Sequence, residues 1–371
     1  MERALARSRD RYEAPRTTNR RRIRLMIVDD STVARAVLSR MVESDPAFEI
    51  TAVAGTAEDA IEALGECRVD IVVLDLEMPG AGGLKSIPRI IAAAGGAKVM
   101  IVSSLADEGA EQTVAALALG AADTMPKPGT GRFNGRFSEI LLGKLKALGY
   151  ASAPSPSPVA RKNTGPQPQL RTMAADPIDI LAIGASTGGI HALGVLFHAL
   201  PPRIGVPILV TQHLPIPFMS VFARQLGAVA ARDCVVAEDG MKLAPDRILL
   251  APGDAHLTLD PTPGGAVVRL TRGRSSSGCM PSVDPMFASV GAIYGAGALG
   301  VVLTGMGRDG VEGSARLVAC GGSILAQDEA SSAVWGMPRA VLEADLACAV
   351  LPPDKIARRI ASRTEEPPTC K

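Results

Sequence analysis

From Ile23 onward the chain alternates short apolar runs with stretches in which apolar residues recur every three or four positions. The first series reads "IRLMIVDD", "STVARAVLSRMVES", "FEITAVAG", "AEDAIEALGEC", "VDIVVLDLEMPG", "AKVMIVSSL", "DEGAEQTVAALALG" and "AADTMPKP". Continuous apolar runs suit strands buried on both faces, and regular alternation with helices predicts a doubly wound parallel sheet. Residues 151–177 hold six prolines and almost no large apolar side chain, which reads as an extended, proline-stiffened linker. A second series follows: "IDILAIGAS", "VPILVTQH", "DRILLAPGDAHL", "LGVVLTG" and "GSILAQD". The expected fold class is α/β, two doubly wound parallel-sheet domains. The expected boundaries are a disordered basic extension over 1–22, a first domain over 23–147, a linker over 148–177, a second domain over 178–361 and a flexible tail over 362–371.

Composition narrows this picture. At 371 residues the chain is long enough for two cores, and with 47% apolar but only 3% aromatic residues those cores must be built from Ala, Val, Ile and Leu. A formal net charge of +1 argues against nucleic-acid binding by charge neutralisation. The eight arginines among residues 1–22, against three acids, are a local exception, and a tether to a nucleic acid or membrane surface is the functional alternative to plain disorder. The six cysteines lie far apart with no CxxC pair, so neither a zinc motif nor a disulfide framework is suggested and the reducing cytoplasm is the expected location. Cys279 and Cys320 read as structural. No uncharged apolar run reaches about 18 residues, so no direct membrane insertion is expected.

Ligands of an open parallel sheet sit beyond the carboxyl ends of its strands. In the first series those ends carry Asp29 and Asp30, Asp75, Ser103 and, after the fifth strand, Lys127. Clustered carboxylates make a hard-oxygen site suited to Mg²⁺, and Lys127 would neutralise added charge. Taken alone, Asp29 and Asp30 favour a cap of the next helix, and only the full set at the strand ends reverses that reading. The ordered set "IVDDS", "LDLEMPG", "SSL" and "KP" closely resembles the response-regulator receiver family, of flavodoxin-like fold. The resemblance implies Asp75 as phospho-acceptor, Asp29, Asp30 and Asp75 with the Glu77 backbone carbonyl as Mg²⁺ ligands, and Ser103 and Lys127 as switch residues. Thr124 stands where that family usually has an aromatic switch residue.

In the second series "GASTGG" turns a strand into a helix at Ser186. A serine hydroxyl becomes a nucleophile only when a base takes its proton, and the natural base is a histidine oriented by a carboxylate. Of four histidines, His191 and His198 lie along the helix after Ser186, and His256 follows "APGDA" in a loop without a clear strand partner. His213 ends the strand "VPILVTQ" and so reaches the Ser186 edge. Asp309, in the glycine-rich loop "LTGMGRDG", is the matching carboxylate, although a cap of the following helix is an equal reading of that loop by itself. Glycines 305, 307 and 310 permit tight turns that bring backbone N–H groups inward as an oxyanion hole. The order Ser186, His213, Asp309 disfavours a standard α/β-hydrolase, and "GASTGG" departs from the dinucleotide fingerprint GxGxxG.

The motifs "IGASTGG", "TQHLP", "APGDAH", "PSVDPMF", "LTGMGRDG" and "AQDEASSAVWGMPRA" resemble, in order, the catalytic domain of the chemotaxis protein-glutamate methylesterase family, a Rossmann-like hydrolase. That resemblance implies the triad Ser186, His213 and Asp309, supporting active-site positions at Thr187 and Met306, and no cofactor in the hydrolase site. It also implies deamidase activity, methyl-accepting chemoreceptors as substrate and a chemotaxis histidine kinase as phosphodonor. Trp335 reads as a packing anchor, and Arg272 to Gly278 as a solvated loop that could hold an acidic receptor helix. Two rival readings are a regulator whose second domain only binds a partner, and a nucleotide-binding oxidoreductase.

Overall fold

The computed structural model describes residues 21–78, 83–103, 107–127, 135–151 and 168–364. The first domain runs β1 (Ile23–Val28), α1 (Thr32–Glu43), β2 (Phe48–Ala54), α2 (Ala57–Glu66), β3 (Ile71–Leu74), α3 (Gly83–Ala93), β4 (Lys98–Ser103), α4 (Asp107–Ala118), β5 (Asp123–Pro126) and α5 (Gly135–Ala151). Its strands pair in parallel in the order β2-β1-β3-β4-β5. That order is the flavodoxin-like one, and it reverses between β1 and β3. Asp29 and Asp75 leave those two adjacent strands. The helix starts use local chemistry, with Ser31 accepting from the Ala34 N–H to cap α1 and Thr56 from the Asp59 N–H to cap α2. Ser31 therefore holds the cap position, and Asp29 instead accepts from the Ser31 N–H at 2.9 Å.

The second domain runs β6 (Ile180–Ala185), α6 (Gly189–Ala199), β7 (Ile208–Gln212), α7 (Ile216–Ala230), β8 (Cys234–Val236), β9 (Ile248–Leu250), β10 (His256–Thr262), β11 (Gly265–Thr271), α8 (Val283–Tyr294), β12 (Ala298–Val302), α9 (Val311–Ala319), β13 (Ser323–Gln327), α10 (Met337–Glu343), β14 (Ala349–Leu351) and α11 (Pro353–Ala361). Seven strands form one parallel sheet in the order β14-β13-β12-β6-β7-β9-β8. β6 lies between β12 and β7, so the loops after these three strands meet at the switch of strand order. The expected run "DRILLAPGDAHL" is two elements, β9 and then β10. β10 leaves the sheet and pairs antiparallel with β11, which gives His256 the strand partner the sequence left unclear.

The two domains pack together through α4 against α6 and α7. Val114 and Leu117 of α4 join one buried apolar cluster with Leu193 of α6 and Phe218 and Phe222 of α7. Each such side chain contributes roughly 1.5–3 kcal/mol of burial. The exposed Arg224–Glu111 ion pair at 2.7 Å adds little beside it. α5 runs on to Ala151, four residues past the expected domain end. The final part of the expected linker lies along the second domain, with the Arg171 N–H donating to Ala347 O at 2.9 Å and the Ala174 N–H to Ser323 Oγ at 3.0 Å. Composition reports the absence of a core but not such backbone pairing. Most of the expected N-terminal extension and of the C-terminal tail lies outside the described residues. No described helix is long and apolar enough to cross a membrane.

Candidate active site

Ser186 leaves the carboxyl end of β6. Its N–H donates to Thr304 O at 3.0 Å, and its carbonyl accepts from Gln212 Nε2 at 2.9 Å, so the strands on both sides hold the turn. Gly188 caps α6 with φ +78°, a left-handed conformation that favours glycine. A Cβ on Gly305 would stand 2.7 Å from Ser186 Cβ, so only glycine lets the loop after β12 come this close. The same loop carries Asp309, and His213 follows β7 directly, its N–H donating to Ala185 O at 3.0 Å.

Asp309 is fully buried. Its Oδ2 accepts from His213 Nε2 at 2.8 Å and from the Val283 N–H at 2.8 Å, and its Oδ1 accepts from Ser282 Oγ at 2.6 Å. The helix-cap alternative fails for this residue, because Gly310 is the N-cap of α9. Burial alone would raise the Asp309 carboxyl, but the His213, Ser282 and Val283 donors hold it far below the usual carboxylate range. Burial likewise would lower the His213 imidazole, yet hydrogen bonds with Asp309 and Cys279 push it up to about 9. With Nε2 committed to Asp309, Nδ1 is the ring nitrogen that this carboxylate leaves unengaged. Both residues line one cavity of about 560 Å³. Among the described residues no hydrogen bond joins Ser186 Oγ to His213.

Several residues that support this arrangement carry no sequence signal strong enough to select them. His256 is buried, its Nε2 donating to Gly273 O at 2.8 Å and its Nδ1 accepting from the Ser282 N–H at 2.9 Å. Ser282, the N-cap of α8, relays this support to Asp309. Cys279 stands beside the His213–Asp309 pair. Of the glycine loop's N–H groups, that of Gly305 is bound to Val334 O at 3.0 Å, which removes it from an oxyanion hole. Met306 stands 42% exposed on the same loop. Trp335 is half-buried, and its Nε1 donates to Gln327 O at 3.0 Å. The Arg272 to Gly278 loop is pinned at Arg272 to Asp254 at 3.2 Å and at Ser276 to Glu312 at 2.8 Å.

At the edge of the first sheet, carboxylate oxygens of Asp29, Asp30 and Asp75 lie within 4.8 Å of one another. Lys127 Nζ reaches Asp75 Oδ2 at 2.8 Å and Asp29 Oδ2 at 3.0 Å. This all-oxygen donor set fits Mg²⁺. The Glu77 N–H donates to Asp75 Oδ1 at 3.2 Å. Burial raises the Asp75 carboxyl despite Lys127, while the two acids outweigh burial and raise the Lys127 ammonium. Ser103 Oγ and Thr124 Oγ1 are both buried with no hydrogen-bond partner among the described residues. A buried hydroxyl without a partner, such as that of Ser103, is a departure from the usual pairing of buried polar groups.

The first domain touches the second at the turn that carries Ser186. Thr187 Oγ1 donates to Asp123 Oδ2 at 2.7 Å, and the Gly188 N–H donates to Ala122 O at 2.7 Å. Lys144 Nζ holds the other Asp123 oxygen at 2.7 Å. Thr124 and Lys127 line the same cavity as Ser186 and His213.

Comparison with known proteins follows this division. The profile of the CheB methylesterase family matches residues 181–360, and that of the response regulator receiver domain matches residues 25–132. A protein from Caulobacter vibrioides named protein-glutamate methylesterase/protein-glutamine glutaminase 2 is 41% identical over 347 residues, covering 92% of this chain and 99% of its own. A protein from Paramagnetospirillum magneticum named protein-glutamate methylesterase/protein-glutamine glutaminase 1 is 37% identical over 359 residues, covering 90% of this chain and 94% of its own. Similarity of that extent over both domains shows that the chain belongs to the protein-glutamate methylesterase/protein-glutamine glutaminase family, with a receiver domain ahead of a CheB methylesterase domain.

Proposed function

We propose that this chain is a cytoplasmic, phosphorylation-activated hydrolase that removes methyl esters from glutamyl side chains of chemoreceptors, and deamidates glutamines there, in chemotaxis adaptation. The observation that carries the reading is the buried Asp309 holding His213 Nε2 at 2.8 Å while His213 and Ser186 line one cavity. In this mechanism His213 Nδ1 takes the Ser186 hydroxyl proton as Oγ bonds to the γ-carbonyl carbon. The protonated ring then gives that proton to the departing methoxide oxygen, and methanol leaves. Water, deprotonated by His213, resolves the acyl-enzyme to glutamate and free serine. With a carboxamide, ammonia leaves in place of methanol. Thr187 and Met306 flank the reacting serine as supporting residues.

Only the neutral imidazole accepts a proton, so a His213 pushed up to about 9 predicts a pH profile. kcat/KM of the full chain should rise about tenfold per unit below pH 9 and level off above it. Asp309→Asn should move that limb toward the ordinary histidine range of about 6.5. The sign for stability is opposite. The raised histidine contributes fully below about pH 6.5, and its contribution is lost as pH climbs through about 9.

Phosphorylation of Asp75 by a chemotaxis histidine kinase supplies the regulation. Mg²⁺ bound by Asp29, Asp30, Asp75 and the Glu77 carbonyl would offset charge on the phosphoryl oxygens. Lys127 pairs with the added charge, and Ser103 turns its free hydroxyl to it. In the unphosphorylated chain Asp123 holds Thr187, the residue after the nucleophile, and so restrains the domains in the packed arrangement. A hydrogen bond to a carboxylate contributes about 1.5–3 kcal/mol. Asp123→Ala should therefore raise methanol release without phosphodonor by about tenfold, and an unchanged basal rate would remove Asp123 from the latch.

The test is methanol release from methylated chemoreceptor membranes, with and without acetyl phosphate. Release that rises with the phosphodonor and vanishes in Ser186→Ala supports the reading. No release from the folded wild type would leave a receiver with a binding domain as output.

A further inference from the structure

Beside the hydrogen bonds of the proposed reaction stands a thiol that the reaction does not use. Cys279 is half-buried and in no disulfide. Its Sγ, a ring nitrogen of His213 and a carboxylate oxygen of Asp309 all lie within 4.8 Å of one another. One sulfur, one imidazole nitrogen and one carboxylate oxygen are donor types of three-ligand zinc sites, in which the fourth tetrahedral position stays open. The chain has no paired-cysteine motif, so this trio is assembled only by the fold, from the loops after β7, after β11 and after β12. Asp309 is already stripped of water and oriented by Ser282 and Val283, as the ligands of a metal site need to be. Of the three, His213 also lines the cavity that holds Ser186.

We propose that His213, Cys279 and Asp309 bind Zn²⁺ or a comparably thiophilic divalent cation, and that occupancy arrests the enzyme because a ring coordinated through Nε2 keeps its remaining proton on Nδ1 and cannot accept the proton of Ser186. The geometric demand is small. His213 Nε2 and Asp309 Oδ2 are 2.8 Å apart, and two bonds of about 2.0–2.1 Å to a tetrahedral centre place such atoms about 3.3 Å apart. Proton balance is explicit. On coordination Cys279 gives its thiol proton to solvent, a protonated His213 gives up one ring proton, and Asp309 is already ionised. Up to two protons leave per ion at neutral pH, so affinity tightens as pH rises. The cluster of Asp29, Asp30 and Asp75 offers oxygen alone and selects harder ions.

Binding is independent of the esterase reading, and only the arrest rests on it. The experiment titrates the reduced full chain with Co²⁺ in excess Mg²⁺, which keeps the first domain's acids filled. The expected result is a thiolate-to-cobalt charge-transfer band that saturates at one equivalent and is displaced by Zn²⁺. The band should persist in Ser186→Ala and vanish in both Cys279→Ser and Cys279→Ala. Zn²⁺ affinity, read by chelator competition, should fall at least roughly tenfold in these variants, since even an outer-shell partner is worth 10–100-fold. Thermal unfolding checks that each variant is folded, and two substitutions guard against one that is not. No band in the wild type overturns the site, as does a band undiminished in both variants, which would assign it to another cysteine. Zn²⁺ at band-saturating levels should also stop methanol release, with a chelator restoring it. Unchanged release with the band present overturns the arrest while leaving the site, and a metal-free wild type that never releases methanol sinks the esterase reading instead.

Discussion

Ser186→Ala should lower methanol release by on the order of 10⁵- to 10⁶-fold, close to the loss of the whole catalytic unit. The size follows from the covalent route. Without Oγ there is no acyl-enzyme, and His213 and Asp309 have nothing to activate, so their contributions disappear together with it. Stability should hardly change. Ser186 is half-buried, its backbone is fixed by Thr304 and Gln212, and its hydroxyl holds no hydrogen bond among the described residues. A loss of activity with an unchanged unfolding midpoint is the signature to look for. A residual rate within about tenfold of wild type would mean that water attacks the ester directly and that the serine only shapes the turn.

Asp309→Asn should cost about 10⁴-fold in kcat, with a visible loss of stability as well. The carboxylate is fully buried and accepts from His213 Nε2, Ser282 Oγ and the Val283 N–H. An asparagine keeps the shape but turns an N–H₂ group toward donors on at least one side, and it no longer favours the Nε2–H tautomer or the imidazolium that forms during proton transfer. Loss of charge-assisted bonds in a buried setting costs about 1.5–3 kcal/mol, which thermal unfolding will register. The double variant with Ser186→Ala should be no slower than Ser186→Ala alone, because the carboxylate acts only through the histidine. A further large loss in the double variant would show that Asp309 serves a step outside the triad.

The strand ends account for how much of this site could be read in advance. In a parallel βα series every strand delivers its carboxyl end to one edge, so Asp29, Asp75, Ser103 and Lys127 in one domain, and Ser186, His213 and Asp309 in the other, could be placed together from apolar periodicity and one polar residue after each run. What escaped this reasoning has a common cause. β8 and β14 are three residues long and carry no period, and the β10–β11 hairpin interrupts a series that otherwise alternates strand with helix. His256 and Ser282, which steady Asp309, sit 26 residues apart in sequence, and nothing in their spacing marks them as partners. Cys279 read as structural because nothing near it in sequence suggests a reactive thiol, whereas its neighbours in space stand in two other loops.

Hydrophobic period and strand-end chemistry are local properties that survive without any partner, so the two α/β units, the acid cluster of the first and the strand-end positions of Ser186, His213 and Asp309 were legible from the residues alone. Folding in three dimensions sets β6 between β7 and β12, joins Asp123 to Thr187 across the domain boundary and brings Cys279 beside His213 and Asp309. Those contacts join residues distant in the chain, and they exist only once burial of the shared apolar core has brought the loops together.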